Sequence, residues 1–546
     1  MARPLTLAAA IAVSLLFVSG AGGSPAQTPK RGGTLVVGTL AEPPCLNAFL
    51  LRCTGGTPVV NFLTSVPLRG AFQAGPGTTF LPDLVTHVER PKGRPLTLRY
   101  HIRPQARWSD GTPITARDFV FTHVISVSKH LEPVDRAFYR QVRSARPIDA
   151  KTVEVVLRSS FSNWRALFAD VLPWHALRAQ NFSKVWLSRI HDPRTGEPIG
   201  SGPFLLERWD RGSRLVYRPN PNYWGARPYL DRLEFRFCQR CGEMAAEQAE
   251  WLRAGELDLV QSMGFLSAEG LRAFRTRGVT VAGRPGNAWE QLSVRVGAGG
   301  HPALDRRLVR QALVYGIDRG AIAPALYGLI DRRYPPMQSS VLLRGDVHYQ
   351  PNWDGHRYRP ARARRLLEQA GCTLGADGIY ACDGRRLSLR FVTAAGVEPF
   401  VGILALVPRQ LRRAGIEVVP QYVPFPTLVG QVVPSGSFDA VLFAWIRGPL
   451  DDGSDLAGLY ECGGTQNFMG YCDRLVTAGL DRARRMPDAA RRARILNRVD
   501  ARLARDVPVI PIVQNPFVVA YREGVRGVDL TGALYPLVNA EKWWLD

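Results

Sequence analysis

Residues 387–445 constrain the fold more tightly than any other stretch of the chain. Apolar runs at 387–393 and 416–423 read as strands and the segment 401–414 between them as a helix, leading to Ala440-Val441-Leu442-Phe443-Ala444-Trp445, a run bounded by Gly436 and Gly448. An apolar run of this length without polar alternation is what a strand buried on both faces requires. A strand, helix, strand unit feeding such a strand predicts an α/β fold with an open sheet. The loop beyond residue 445 breaks on Gly448 and Pro449 and carries Arg447, Asp451 and Asp452. Open α/β sheets bind ligands outside the carboxyl ends of their strands, so Trp445 as an aromatic wall with Arg447, Asp451 and Asp452 as charged groups is a candidate small-molecule pocket. Asp-Asp-Gly is equally ordinary turn chemistry, and Trp445 equally an ordinary core residue.

A chain of 546 residues with 46% hydrophobic content has material for more than one domain. Its start reads as a secretory signal: Arg3, an apolar run at 5–18, small residues at 19–24, and cleavage expected as late as Ala26. No later stretch reaches about 18 consecutive apolar residues, the length a bilayer-spanning helix needs. No cysteine follows the apolar run, so no lipid anchor is indicated, and the expected location is periplasmic or extracellular.

The eight cysteines agree with export, because they fall as four close pairs: Cys45 with Cys53, Cys238 with Cys241, Cys372 with Cys382, and Cys462 with Cys472. An exported chain with even, locally paired cysteines is best read as disulfide-bonded. Cys238-Gln239-Arg240-Cys241 is also half of a structural zinc motif, but no second C-x-x-C exists and the nine histidines are scattered, so a disulfide or two free thiols is favoured over metal. The formal charge of +23 raises nucleic acid as a partner. Against that, only six of the 70 basic residues are lysine and the arginines spread along the chain. The densest run, 481–505, sets arginines against Ile495, Leu496, Val499 and Leu503 at helical spacing, which is a solvated helix face. No nucleic acid partner and no cofactor is expected.

In order, 34–38 reads as a strand running into a loop that holds Leu46 and Asn47 inside the Cys45 to Cys53 clamp, a candidate second wall for the pocket. Alternation at Leu96, Leu98, Tyr100 and Ile102 predicts a strand, Thr115 and Asp118 a capping box opening a helix at 119–128, and 151–157 a further strand. Trp164, Phe168, Trp174 and Trp186 read as the core of a small domain. Strands follow at 204–209, 214–217 and 232–237, then a helix ending near Gly255. Later come a strand at 289–296, one helix over 305–328, a helix at 361–370 ending on Gly371, a hairpin inside Cys372 to Cys382, and strands over 507–521.

Five ordered motifs carry a resemblance: GTLVVGT at 33–39, WSDGTPITARDFVFT at 108–122, GSGPFLLERW at 200–209, RPNPNYWGARPYLDRLEFRF at 218–237 and DRRLVRQALVYGIDRGAI at 305–322. In order and spacing the chain resembles the family 5 extracellular solute-binding proteins of ABC importers, the group with dipeptide-, oligopeptide- and nickel-binding members. The resemblance implies a periplasmic-binding-protein-like (type II) two-lobed fold with an extra N-terminal subdomain. The expected division is a signal at 1–26, a first lobe from 27–68, 199–285 and 507–546, an extra subdomain at 69–198, and a second lobe at 286–506, with hinges near 282–289 and 507–512. It also implies a monomeric, non-enzymatic receptor that passes a small solute, above all a peptide, to permease subunits in the membrane. Peptide-binding members often place an aspartate three residues after the strand-end tryptophan, and that position here is Gly448, so an oligosaccharide, an opine or a metal chelate stays open as solute. An exported hydrolase is the alternative of another class; the chain has neither a Gly-x-Ser-x-Gly elbow nor a His-Glu-x-x-His helix. An adhesive envelope protein would show repeats or stalks, and none appear.

Overall fold

The computed structural model describes residues 28–39, 42–53, 63–75, 79–134, 136–159, 161–237, 244–262, 268–447, 454–530 and 536–546. The expected signal, Cys238, Cys241, Gly448, Asp451 and Asp452 lie outside the described residues. A ten-stranded sheet runs through the molecule in the order Glu417–Val423, Ser388–Ala394, Ala440–Ile446, Val279–Val294, Val509–Arg522, Leu259–Ser262, Thr34–Thr39, Arg232–Phe237, Arg214–Pro219, Phe204–Asp210. The first three strands pair parallel, the next three pairings are antiparallel, Leu259–Ser262, Thr34–Thr39 and Arg232–Phe237 pair parallel again, and the sheet ends in the antiparallel strands Arg214–Pro219 and Phe204–Asp210. The chain is thus mixed α/β, as the 387–445 stretch predicts, with its crossover helix at Glu398–Arg413.

Two apolar cores flank this sheet. One gathers Leu35, Tyr100, Trp108, Phe168, Tyr217 and Phe235 with the C-terminal Trp543. The other gathers Leu313, Trp353, Leu389, Ile403, Leu442 and Leu496. The first core includes a smaller four-stranded sheet, Val85–Glu89, Thr97–Ile102, Thr152–Leu157, Val142–Pro147, covered by the Ala116–Val127 helix. The capping box read at Thr115 and Asp118 is present, and the helix begins at Ala116 rather than 119 because the cap itself sets the first turn. Trp164, Phe168 and Trp186 join this core, whereas Trp174 is half-buried between the guanidiniums of Arg117 and Arg178, at 4.9 and 4.3 Å.

The cores are joined by two long antiparallel strands, Val279–Val294 and Val509–Arg522. Their register breaks between Pro285 and Trp289, where Pro285 stands opposite Pro516. Neither proline has an N–H for the ladder, so pairing is weakest there. On the second strand this break lies beyond the 507–512 expected from sequence, while a second register shift, between Glu290 and Gln291, falls at the edge of that segment, at Pro511 to Val513. The single helix expected over 305–328 is two, Arg307–Gly316 and Arg319–Tyr327, because Asp318 caps the second by accepting the Ala321 N–H at 3.0 Å.

Three of the five motifs meet at one place. Asn222 Nδ2 donates to Ser109 O at 2.7 Å, Gly200 N to Ser109 Oγ at 3.2 Å, and Asn220 Nδ2 to Gly202 O at 2.9 Å. A Cβ on Gly200 would lie 2.4 Å from Pro67 O, so only glycine allows the approach. These motifs therefore fasten the small domain to the large sheet.

Candidate functional site

The Ala440–Ile446 strand buries Ala440, Val441 and Leu442 completely, then delivers Phe443 and Trp445 to one face. Trp445 stacks on Phe468 with centroids 5.8 Å apart and meets Phe443 edge-on at 5.4 Å, and Phe443 stacks on Phe425 at 6.0 Å. The result is an aromatic row of which Phe425 is 48% exposed. Trp445 is 8% exposed, and its Nε1–H has no acceptor among the described residues. A buried indole N–H without an acceptor is costly to retain unless a ligand or water supplies one.

Arg447 is buried, and its guanidinium is engaged: Nη1 pairs with Asp346 and Nη2 donates to Val341 O at 3.0 Å. Its backbone exchanges hydrogen bonds with Asn287 beside the register break, Arg447 N to Asn287 O and Asn287 Nδ2 to Arg447 O, each at 2.8 Å. Arg447 therefore ties the strand end to both the joining strand and the 341–346 turn. Asp346, held also by the Leu343 N–H at 2.8 Å, lines a cavity of about 360 Å³.

That cavity lies between the two bodies. One wall is Phe80, Ser162, Asn163 and Arg165 of the small domain; the other is Asp346, His348 and Arg492. Ser162 Oγ donates across the gap to Arg484 O at 3.0 Å. Asn163 is 3% exposed, with Nδ2 lacking an acceptor among the described residues. A second cavity of about 160 Å³ sits at the joining strands, lined by Arg284, Asp331, Tyr334, Arg344 and Gln514.

Leu46 and Asn47 are buried in the first core: Leu46 N donates to Leu187 O at 3.2 Å, Asn47 Nδ2 donates to Val185 O at 3.0 Å, and Asn47 Oδ1 accepts the Phe49 N–H at 3.1 Å. The structure seats this pair in one core and Trp445 in the other. Disulfides join Cys45 to Cys53, Cys372 to Cys382 and Cys462 to Cys472. Sequence reasoning misses Asn163, Arg165, Asp346 and His348, because they sit in irregular segments where periodicity carries no signal.

The model of the family 5 bacterial extracellular solute-binding proteins, middle region, matches residues 79–467. The oligopeptide-binding protein OppA of Mycobacterium tuberculosis is 29% identical over 518 residues, 92% of this chain and 84% of that protein. The oligopeptide-binding protein AppA of Bacillus subtilis is 24% identical over 562 residues, 99% of this chain and 98% of that protein. Among solved structures, the periplasmic EDTA-binding protein EppA superposes with a TM-score of 0.78 at 22% identity, over 95% of this chain and 97% of that one. AppA of Bacillus subtilis in complex with a nonapeptide gives 0.69 at 22% identity, over 95% of this chain and 100% of that one. The structural likenesses show the two-lobed, type II binding-protein fold.

Proposed function

The chain belongs to the bacterial extracellular solute-binding proteins of family 5, and on that premise we propose that it is the receptor of an ABC importer, enclosing a peptide or peptide-like solute between its lobes and delivering it to a membrane permease. The observation that carries this reading is the cavity of about 360 Å³ lined from both bodies. Two buried donors lack acceptors among the described residues, Asn163 Nδ2 in the lining of that cavity and Trp445 Nε1 outside it. An acceptor-rich solute such as a peptide backbone satisfies groups of this kind.

In this proposal Trp445 is the flat wall, Asp451 and Asp452 meet a cationic end of the solute, and Arg447 holds Asp346 at the cavity edge. The clamped loop of Leu46 and Asn47 backs the opposite side. Closure about the joining strands reports occupancy to the permease. The activity is binding, with no bond made or broken in the solute. No helix among the described residues is long and apolar enough to cross a membrane, and export by a cleaved signal, without a lipid anchor, belongs to the same proposal.

A second reading, an acidic non-peptide solute such as an opine or an anionic metal chelate, is favoured by Gly448 in place of a strand-end aspartate and by Arg165, His348 and Arg492 around the cavity. Mass spectrometry of solute released from gently purified protein tests both. Peptides support the first reading and acidic non-peptides the second; a protein that never carries or binds either class refutes both.

A further inference from the structure

We propose that His87, Glu89 and His101 form a binding site for one nitrogen-preferring divalent transition metal ion, Zn²⁺ being the simplest probe, on the outer face of the small domain. The strand register builds it. Val85–Glu89 pairs antiparallel with Thr97–Ile102, and His87 stands directly opposite His101. Glu89, two residues on, shares their face. The two imidazoles lie 4.3 Å apart at an interplanar angle of 7°, and His101 Nε2 is 3.3 Å from Glu89 Oε1. One donor atom from each of the three residues lies within 4.8 Å of the others.

Zinc bonds of about 2.0–2.2 Å place two ligand atoms of one ion roughly 3–4 Å apart, so small side-chain rotations suffice and the backbone need not move. Two imidazoles and a carboxylate are the donor set such ions prefer. His87 and Glu89 are exposed, which leaves water to complete the coordination.

The alternative for such a group is an ordinary ion pair of Glu89 with His101, and what the neighbours show is that the arginine in register does not compete for that carboxylate. Arg99 stands opposite Glu89 in register and is its natural partner. Instead Arg99 Nε donates to Glu154 Oε2 at 3.1 Å, and Glu154 Oε1 takes Arg146 Nε at 3.0 Å. One carboxylate thus absorbs both guanidiniums and leaves Glu89 beside the imidazoles. The comparable cluster of Asp110, His175 and Asp192 differs, because Arg194 already occupies both oxygens of Asp192, at 3.1 and 2.6 Å.

Titrating the full exported chain with Zn²⁺ against a chromophoric chelator tests the site. The parent should bind one equivalent, and His87→Ala and His101→Ala should each weaken it by at least about 10-fold, the lower end of the losses seen when a metal site is disturbed. Both changes are near the surface, and thermal unfolding without metal should match the parent. No saturable binding by the parent overturns the proposal. So does binding that both variants retain unchanged, which would place the metal elsewhere, including at Cys238 and Cys241.

Discussion

Asn515 Nδ2 donates to Glu290 Oε1 at 2.7 Å across the two strands that join the lobes, and both residues are fully buried. Glu290 Oε2 has no hydrogen-bond partner among the described residues. Burial pushes the carboxyl up to about 8, against a smaller opposing effect of the Asn515 hydrogen bond. The acid is therefore protonated at neutral pH and sits uncharged between the joining strands.

The proton on Glu290 makes stability depend on pH. With a folded value above the ordinary 4.5, it stabilises the folded state fully below 4.5, and that stabilisation is lost as pH rises through about 8. Each tenfold gain in proton affinity on folding is worth about 1.4 kcal/mol, so the parent should lose a few kcal/mol between roughly pH 5 and pH 9. Glu290→Gln keeps the shape and cannot ionise, so urea unfolding across that range should show a flatter profile. Parallel profiles for the two proteins would count against a protonated Glu290.

Arg447, which is buried, makes an ion pair near the strand end with the largely covered carboxylate of Asp346. Removing one member strands the other charge, at a cost of about 3–5 kcal/mol. Arg447→Met and Asp346→Asn should each destabilise strongly in urea unfolding, and the double variant by clearly less than the sum. Additive losses would mean that the pair is not coupled.

Solute affinity gives a third prediction. A desolvated carboxylate anchoring a cationic end is worth about 2–5 kcal/mol, so Asp451→Ala or Asp452→Ala should weaken binding by at least ~30-fold in calorimetry, and Trp445→Ala should weaken it as well. Unchanged affinity in all three variants would move the site elsewhere in the cleft.

Much of the sheet is legible in the sequence because its strands are short, apolar and bounded by glycine or polar turns. The readings at 34–38, 204–209, 232–237 and 440–445 fall within a residue or so of the strands found. The long strand Val279–Val294 is legible only from residue 289, since Gly283, Pro285 and Gly286 are strand breakers in any local reading. Here the chain stays extended through them because Val509–Arg522 pairs on both sides of the break. The site is less legible for the same reason in reverse. Asp346 gains its position from Arg447, 101 residues away in sequence, and Asn163 from packing beneath the cleft. Such long-range partners leave no periodic trace, whereas Trp445 stands out because it ends a strand.

The last prediction concerns the break between the joining strands. Pro285 faces Pro516 in register, and a Cβ on Gly286 would lie 2.6 Å from Asn515 O, so the strands approach closely where they cannot bond. A ladder gap between two cores lets φ and ψ change at few residues, which is what hinge closure needs. Pro285→Val with Pro516→Val restores two N–H donors and should stiffen the crossing. Small-angle scattering should show the parent shrinking in radius of gyration when its solute is added, with the double variant shrinking less. Thermal stability of the variant should stay equal or rise, since ladder bonds are gained at roughly 0.5–1.5 kcal/mol each. A parent whose scattering is identical with and without saturating solute would contradict closure, and a variant that closes as fully as the parent would place the hinge elsewhere.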